Sequence, residues 1–370
     1  MSKLFSFIIS IAFVAHAFSL DNSACLNVKP TVLTNCGLPV YSTAIFADKY
    51  NKTCLAFLPS ENFPQVWQEH NTTWTHVSTL MPQNLTTWSL AEAYDTQTNQ
   101  ATLLLSGTDK FNETYPPYSN GNFSVWEQHD QTNWNQVSQW GYPHIMAIYP
   151  IAGFTPPSGN FTIAAQLMWP GKVALLNFNS KSNDWEISAY IPTYSPSLPF
   201  ITPDGRQFFA AWTFAQNSNT VLETNIWEYK NNNWQLDTTF KYQNTGLIQA
   251  FAYGVSNNTP LLIAGSEYGF IKLWEYSNGN WTSAGEFKAH EGGISSLVTF
   301  AHDNQLYIVS GSVDTTIAFW KQEANEWKCF ARLCTVDNGN VCSLKMSPDI
   351  FLVSGHETGQ VCLWDIKSII

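Results

Sequence analysis

Charged side chains are scarce in this chain of 370 residues. Asp, Glu, Lys and Arg make up 12% of the sequence, about half of the roughly 25% that is usual in soluble proteins. Arginine occurs only at Arg206 and Arg332, and the net charge is −11. A nucleic-acid partner requires a basic patch, so we expect no nucleic-acid binding.

Long hydrophobic runs are missing beyond the N-terminus. The first residues, MSKLFSFIISIAFVAHAFS, contain Lys3, an apolar run over 4–14 and an A-x-A signal that ends at Ala17. This pattern is typical of a secretory signal peptide, and the run is shorter than the ~20 apolar residues that cross a bilayer. We therefore expect cleavage after Ala17, no membrane insertion, and secretion or delivery to a periplasm or ER-derived lumen.

Cysteine is absent from the middle of the chain. The seven cysteines lie in two groups, near the start and near the end: Cys25, Cys36, Cys54, Cys329, Cys334, Cys342 and Cys362. No pair has the C-x-x-C spacing of a zinc or redox site. In an oxidising compartment this distribution favours disulfides, and the odd number leaves at least one free thiol. Buried unpaired cysteines are the alternative.

Motifs of catalysis are missing as well. The sequence has no G-x-S-x-G elbow, H-E-x-x-H pair, phosphate loop or calcium loop. The segment HEGG at His290 begins like a zinc motif but lacks the second histidine. We expect no catalytic residue, no metal and no cofactor.

Tryptophan, in contrast, is abundant and regularly spaced. WEYKNNNW, from Trp227 to Trp234, recurs as WEYSNGNW, WKQEANEW and WQEHNTTW, and in longer or altered form as WEQHDQTNW and FNSKSNDW. The first-place residues serve as repeat markers: Trp67, Trp126, Phe178, Trp227, Trp274, Trp320 and Trp364. The intervals between them shorten from 59 to 44 residues. Self-similarity at such a period indicates a repeat architecture.

Each unit reads as four short strands. In the fifth unit these are GLIQAFAYGV, PLLIAGSE, FIKLWEYS and NWTSAGEFK. Segments rich in Ile, Leu, Val and aromatic residues alternate with turns of Gly, Asn, Ser and Pro, and no segment has a sustained helical period. Four strands in a period in the mid-forties predict a propeller blade, because a small sheet must bury both faces against its neighbours.

The later units resemble WD repeats. Residues 289–320, AHEGGISSLVTFAHDNQLYIVSGSVDTTIAFW, have the family's histidine, its SGSxD segment and its closing aromatic. The last unit is similar and ends in Trp364-Asp365, and ITPDGRQFFAAW in the fourth unit matches the turn before the second strand. The resemblance implies an all-β, seven-bladed β-propeller with four-stranded antiparallel blades.

The resemblance also implies a structural network in the sixth blade. Its members would be the side chains of His290, Ser310, Asp314 and Trp320. The position of Asp314 holds other residues in the fifth and seventh blades, which also lack the loop histidine. We therefore expect one complete network, with apolar packing stabilising the other blades.

The chain ends soon after Trp364, so the resemblance implies that an N-terminal strand completes the seventh blade and closes the ring. The predicted organisation is a signal peptide over 1–17 and a single propeller domain over 18–370. Within it we expect a closing strand at 25–34 and blades at 41–80, 86–139, 143–191, 197–242, 246–288, 292–333 and 339–370.

Ring closure would bring the N-terminal cysteines close to the C-terminal ones. We favour a disulfide between Cys36 and Cys334, at neighbouring blade rims. A Cys25–Cys36 bridge would be strained, since a straight strand separates these residues by more than the ~7 Å that a disulfide spans. It stays open as a local alternative, as does Cys329–Cys334.

The second-place tryptophans have two interpretations. Each opens the outermost strand of its blade, where it would clamp the hairpin and pack toward the adjoining blade. A ring of exposed tryptophans that stack on sugars is the alternative, but a feature that recurs in every blade favours a structural role.

Two lengthened segments of the second and third blades predict a binding face. They cover 108–123 and 138–146, and their aromatic residues are Phe111, Tyr115, Tyr118, Trp140, Tyr142 and His144. Long loops on a rigid scaffold are frequent binding sites, although a drifted surface loop is the alternative. Possible N-glycosylation sites, in numbers close to chance, are Asn51, Asn71, Asn84, Asn112, Asn122, Asn160, Asn257 and Asn280.

The predicted function is a secreted or envelope-lumen scaffold, monomeric and without catalysis, that binds a protein partner. One alternative is a carbohydrate-binding propeller that uses exposed Trp and Tyr to hold a glycan. A second is a propeller hydrolase, in which two carboxylates would meet in the central channel.

Overall fold

The computed structural model describes most of the chain from residue 25 onward. The described residues are 25–26, 28–60, 63–71, 73–82, 85–95, 100–109, 121–142, 148–154, 161–167, 172–179, 181–182, 184–214, 222–242, 246–335, 339–347 and 351–370. The predicted signal peptide lies outside them. All secondary-structure elements among the described residues are β-strands, numbered β1 to β28.

The first half of the chain forms the closing strand and three complete blades. The closing strand is β1 (Thr31–Asn35). Blade 1 contains β2 (Val40–Ala47), β3 (Thr53–Pro59), β4 (Gln65–His70) and β5 (Thr73–Thr79). Blade 2 contains β6 (Leu85–Asp95), β7 (Gln100–Asp109), β8 (Gly121–Gln128) and β9 (Trp134–Tyr142). Blade 3 contains β10 (Ile148–Phe154), β11 (Thr162–Leu167), β12 (Lys172–Asn179) and β13 (Asp184–Pro192).

The second half forms the remaining four blades. Blade 4 contains β14 (Tyr194–Ile201), β15 (Gln207–Phe214), β16 (Leu222–Lys230) and β17 (Asn233–Tyr242). Blade 5 contains β18 (Ile248–Ser256), β19 (Thr259–Ser266), β20 (Phe270–Ser277) and β21 (Asn280–Lys288). Blade 6 contains β22 (Ile294–His302), β23 (Gln305–Ser312), β24 (Thr316–Glu323) and β25 (Glu326–Cys334). Blade 7 contains β26 (Val341–Met346), β27 (Phe351–His356) and β28 (Gln360–Asp365).

The predicted all-β, seven-bladed propeller is confirmed. Each blade is a four-stranded antiparallel sheet, and β1 pairs with β28 as the outermost strand of blade 7. Contacts between the first strands of neighbouring blades run around the ring, including those of β26 with β2. The N-terminal strand therefore closes the ring.

Burial follows the position of a strand within its blade. All residues of β11 are buried, as are the first six of β15, because neighbouring blades cover both faces of these second strands. The outermost strand β21 exposes most of its residues. Hydrophobic packing between blades therefore holds the ring together, with the outer strands facing solvent.

The asparagine-rich turns follow from hairpin geometry. In the hairpin of β16 and β17, Asn231 and Asn232 have φ values of 52° and 59°. A two-residue type I′ turn needs positive φ at both central residues, and asparagine tolerates that conformation better than most side chains. Asn257 and Asn258 do the same between β18 and β19, at 48° and 63°.

One predicted repeat marker, Phe178, is wrong. In blade 4 the β16–β17 ladder shifts register directly before Trp227, and the corresponding shift in blade 3 comes directly before Leu176. Leu176 therefore occupies the marker position. Phe178 pairs with Trp185 and is 43% exposed. The hairpin of blade 3 is two residues longer than that of blade 4. Counting seven residues back from the second-place tryptophan therefore selected the wrong residue.

The predicted Cys36–Cys334 disulfide is also wrong, because Cys25 bonds to Cys334 with a Cα–Cα distance of 5.5 Å. Leu26 lies parallel to Leu333 on β25 of blade 6, which places Cys25 beside Cys334. Cys36 is a free thiol at the far end of β1, where its backbone N–H donates to the Gly359 carbonyl of blade 7. The N-terminal segment is thus attached to two blades.

Candidate functional site

The four network residues predicted in blade 6 lie together. Trp320 Nε1 donates to Ser310 Oγ at 2.9 Å, and Ser310 Oγ lies 2.7 Å from His290 Nε2. His290 Nδ1 is 3.0 Å from Asp314 Oδ2. These partners indicate that Nδ1 carries the proton and donates it to the carboxylate, while Nε2 accepts from the serine hydroxyl.

Asp314 also organises the neighbouring turn. It accepts hydrogen bonds from the Thr316 hydroxyl at 2.6 Å and from the Glu291 backbone N–H at 3.1 Å. Arg332 on β25 adds bonds to Thr316 Oγ1 at 2.9 Å and to the Ala289 carbonyl at 3.1 Å. Sequence reasoning missed Thr316 and Arg332. The network therefore fastens the loop before blade 6 to the blade itself.

Burial and pairing shift two pKa values in this network. Burial lowers the pKa of His290, and the bonded Asp314 carboxylate opposes this shift without reversing it. Burial raises the pKa of Asp314, but hydrogen bonds from His290 and Thr316 outweigh it and hold that pKa well below its usual range. A neutral histidine beside an ionised aspartate is therefore the stable pair at neutral pH.

The order serine, histidine, aspartate is also that of a hydrolase triad. Here Ser310 and His290 are completely buried. The serine oxygen is also occupied by the Trp320 N–H. A substrate cannot reach this hydroxyl in the folded protein, so the arrangement is structural.

Blade 7 contains a different version of the network. Trp364 Nε1 donates to Ser354 Oγ at 2.8 Å, and His356 Nε2 lies 2.6 Å from the same oxygen. The histidine is on β27, two residues after the serine, rather than in the preceding loop. Burial lowers the pKa of His356 to about 4, and neighbouring backbone groups oppose the shift. The family's sequence motif, which has its histidine in the loop before the blade, therefore does not identify this arrangement.

The second-place tryptophans pack onto the preceding blade. Trp134 of blade 2 contacts Phe46 of blade 1 edge to face, with ring centroids 5.6 Å apart. Trp74 of blade 1 makes the same kind of contact with Phe351 of blade 7, at 5.8 Å. Trp134, Trp185 and Trp281 are buried, and Trp74, Trp234 and Trp327 are partly buried. These contacts support packing between blades as their role.

The mouth of the central channel forms a cavity of about 500 Å3. Residues of blades 1, 4, 5, 6 and 7 line it: Tyr41, Trp212, Leu247, Ile248, Gln249, Ser295, Val313, Asn340, Val341, Cys342 and Glu357. Tyr41 is 57% exposed and Val313 45% exposed. Sequence reasoning did not single out these residues, because they come together only when the first strands of several blades converge.

The hydrolase alternative requires two carboxylates that meet in the central channel. Among the described residues that line the mouth, Glu357 is the one carboxylate. Outside this lining, Glu92 of β6 forms an ion pair with Lys345 of β26 at 2.5 Å. The geometry of the described residues therefore offers no pair of carboxylates at this mouth, and the hydrolase stays a prediction.

The predicted aromatic binding face is only partly described. Phe111, Tyr115, Tyr118 and His144 lie outside the described residues, and Tyr142 is described by its backbone alone. The ring of Trp140 is half-buried and lies 5.6 Å from that of Phe123. Gly121 pairs with Tyr142, so the two lengthened segments lie beside each other at one end of blade 2.

Five of the predicted glycosylation sites lie among the described residues. Asn51, Asn71 and Asn257 are exposed at turns with positive φ, and Asn280 is exposed at the start of β21. Asn122 is half-buried on β8. Asn84, Asn112 and Asn160 lie outside the described residues.

The comparison with protein families agrees with the fold. The family model described as WD domain, G-beta repeat matches residues 281–321. The match extends from β21 of blade 5 through most of β24 of blade 6, so one sequence repeat spans two blades. It includes the whole blade 6 network except Arg332. The seven blades and this match to one repeat together support a WD-repeat family β-propeller.

No curated protein matches the chain. In the part of the chain that the structure describes, no helix is long and apolar enough to cross a membrane.

Proposed function

We propose that the protein is a non-catalytic scaffold of an extracellular or lumenal compartment and that it binds a protein at the channel mouth. The observation that carries this proposal is the cavity of about 500 Å3, whose rim exposes Tyr41, Leu247 and Val313. Exposed apolar side chains around a concave site are typical of docking surfaces. WD-repeat propellers commonly bind proteins, which supports this assignment.

The charge of the rim indicates the chemistry of the partner. The exposed carboxylate of Glu357 lines the cavity, and none of the described lining residues is basic. A partner with an apolar anchor flanked by basic residues would complement this surface.

The compartment is proposed from two features. The N-terminal sequence has the pattern of a secretory signal. The Cys25–Cys334 disulfide supports an oxidising environment, because such bonds are rare in reducing compartments.

The test is recovery of partners from the native compartment by the wild type and by Val313→Asp. A charge at an interface anchor typically costs 2 kcal/mol or more, so we expect capture to fall about 30-fold. Leu236→Asp, at a 50% exposed position on the outer strand β17, is the matched control and should retain every partner. Identical capture by both variants, at unchanged thermal midpoints, would overturn the proposal.

A further inference from the structure

A polar cavity of about 100 Å3 lies between blades 3 and 4. Blade 3 contributes Thr162, Leu175, Asn177, Ser188 and Ala189, and blade 4 contributes Gln207, Tyr229, Asn232, Asn233 and Trp234. Its lining shares no residue with that of the channel mouth, and the proposed function does not use it.

The cavity exists because threonine occupies a position that holds phenylalanine in the next blade. On β15, Phe208 directly precedes the residue that pairs with marker Trp227. On β11, Thr162 directly precedes the residue that pairs with Leu176, which occupies the marker position of blade 3. At the interface of blades 4 and 5, Phe208 packs under Trp281 with ring centroids 5.5 Å apart. At the interface of blades 3 and 4, the smaller Thr162 leaves room beside Trp234.

The walls of the cavity contain hydrogen-bonding groups that the fold does not fully use. Gln207 is 94% buried, and its Oε1 has no hydrogen-bond partner among the described residues. A buried acceptor without a partner costs about 1–3 kcal/mol, which a ligand hydroxyl would recover. Thr162 and Asn177 are joined by a hydrogen bond of 2.8 Å, which orients both side chains at the opposite wall.

The lining selects by chemistry as well as by shape. The rings of Tyr229 and Trp234, 5.4 Å apart, provide an aromatic surface. None of the described lining residues is charged. An aromatic surface beside neutral amides and hydroxyls suits a ligand that has an apolar C–H face and several hydroxyl groups.

We propose that this cavity binds one ring of a neutral sugar. The Gln207 amide, whose Oε1 is covered in the free protein, turns so that this oxygen accepts a sugar hydroxyl. Asn232 and Asn233 contact hydroxyls at the entrance, and Trp234 packs against the ring face. The size fits a single ring, since ~10–15 Å3 holds one water and this cavity therefore takes the volume of several waters. This site differs from a ring of exposed tryptophans, because it exists at one blade interface.

The experiment titrates the full chain, with 15N-labelled tryptophan, with glucose, galactose, mannose and N-acetylglucosamine in turn. The indole N–H resonance of Trp234, assigned by its loss in Trp234→Phe, is the readout. At least one sugar should produce a saturable shift. Gln207→Leu removes the acceptor at nearly constant volume and should weaken binding roughly tenfold, the equivalent of one hydrogen bond.

Two further variants separate the site from a general effect. Thr162→Phe should fill the cavity as Phe208 does one blade later, and should abolish the shift. Gln322→Leu makes the same change as Gln207→Leu on β24 of blade 6 and should bind like the wild type. The proposal is overturned if no sugar shifts the Trp234 resonance, if Gln207→Leu binds as tightly as the wild type, or if glycerol or glucuronate gives an equal response.

Discussion

Blades 6 and 7 each place a histidine against an equivalent serine–tryptophan pair, but the histidine comes from a different segment in each blade. In blade 6, His290 comes from the preceding loop and is bonded to Asp314. In blade 7, His356 comes from the same strand as Ser354, and among the described residues no carboxylate bonds to it. The bond from tryptophan to serine is common to both blades.

The difference shows that the network of blade 6 performs two tasks. The serine–tryptophan bond joins the second and third strands within a blade, and both blades keep it. The histidine–aspartate pair fastens a loop between blades, and blade 7 lacks it. Instead, β1 pairs with β28 of blade 7, and the disulfide between Cys25 and Cys334 ties the N-terminal segment to the end of blade 6.

Removing the covalent link should have the largest effect. Cys25→Ser opens a loop with a sequence separation of 309 residues. In the chain-entropy account this lowers the free energy of unfolding by roughly 6 kcal/mol. Urea unfolding and non-reducing peptide mapping measure the two parts of this prediction. Cys36→Ser is the control, and a mapped Cys36–Cys334 peptide would contradict the bond.

Acidification should have the second-largest effect, by lowering the stability of blade 7. The pKa of His356 falls from 6.5 to about 4 on folding. Its neutral form therefore stabilises the fold fully above pH 6.5, and this contribution is lost as the pH falls toward 4. Each pKa unit corresponds to 1.36 kcal/mol, so the loss is about 3 kcal/mol.

Urea midpoints between pH 7.5 and 4.5 measure this loss. His356→Gln should be less stable at pH 7.5 and should have a flatter pH profile than the wild type. Because the pKa of His290 is also lowered, the wild-type slope includes both blades. Parallel profiles for the two proteins would show that His356 does not contribute.

Breaking the His290–Asp314 attachment of the loop before blade 6 should lower the free energy of unfolding by a smaller amount. Asp314→Ala removes the acceptor of bonds from His290, Thr316 and the Glu291 backbone, at a cost of about 1–3 kcal/mol. The free energy of unfolding in urea is the measurement. Thr358→Ala, at the corresponding position of blade 7, is the control for a side chain that is not a carboxylate. An equal effect of both variants would mean that the carboxylate has no special role.

The last prediction is an equal effect in the two blades. Ser310→Ala and Ser354→Ala each leave a buried tryptophan N–H and a buried histidine nitrogen without their common partner, which costs about 1–3 kcal/mol. Their urea midpoints should agree closely. A clearly larger loss in one blade would show that its histidine, rather than the serine–tryptophan bond, carries the stability.

Much of the fold was predictable because its signals are local and repeated. The spacing of the tryptophans and the turn residues between short apolar segments indicate strands, and their recurrence indicates blades. His290, Ser310, Asp314 and Trp320 were found from one segment, since all four lie within about one repeat. The marker of blade 3 was missed because a longer hairpin changed the spacing, and Leu176 is not an aromatic residue.

The candidate binding sites were less accessible to sequence reasoning. Tyr41 and Val313 are far apart in the chain, and each resembles any apolar residue at the end of a strand. Their exposure at one cavity depends on how five blades converge. The cavity beside Trp234 depends on Thr162, whose importance appears only when its position is compared with that of Phe208 across an interface.

The sequence by itself determined the all-β class, the number of blades and the turns in which asparagine adopts positive φ. These features arise from side-chain patterns and backbone preferences within a few residues, so they can be read along the chain. Tertiary structure decided the Cys25–Cys334 pairing, the replacement of a loop histidine by His356, and the cavity between blades 3 and 4. Each depends on distances between segments brought together by ring closure, where a difference of one blade or two residues of register changes which side chains meet.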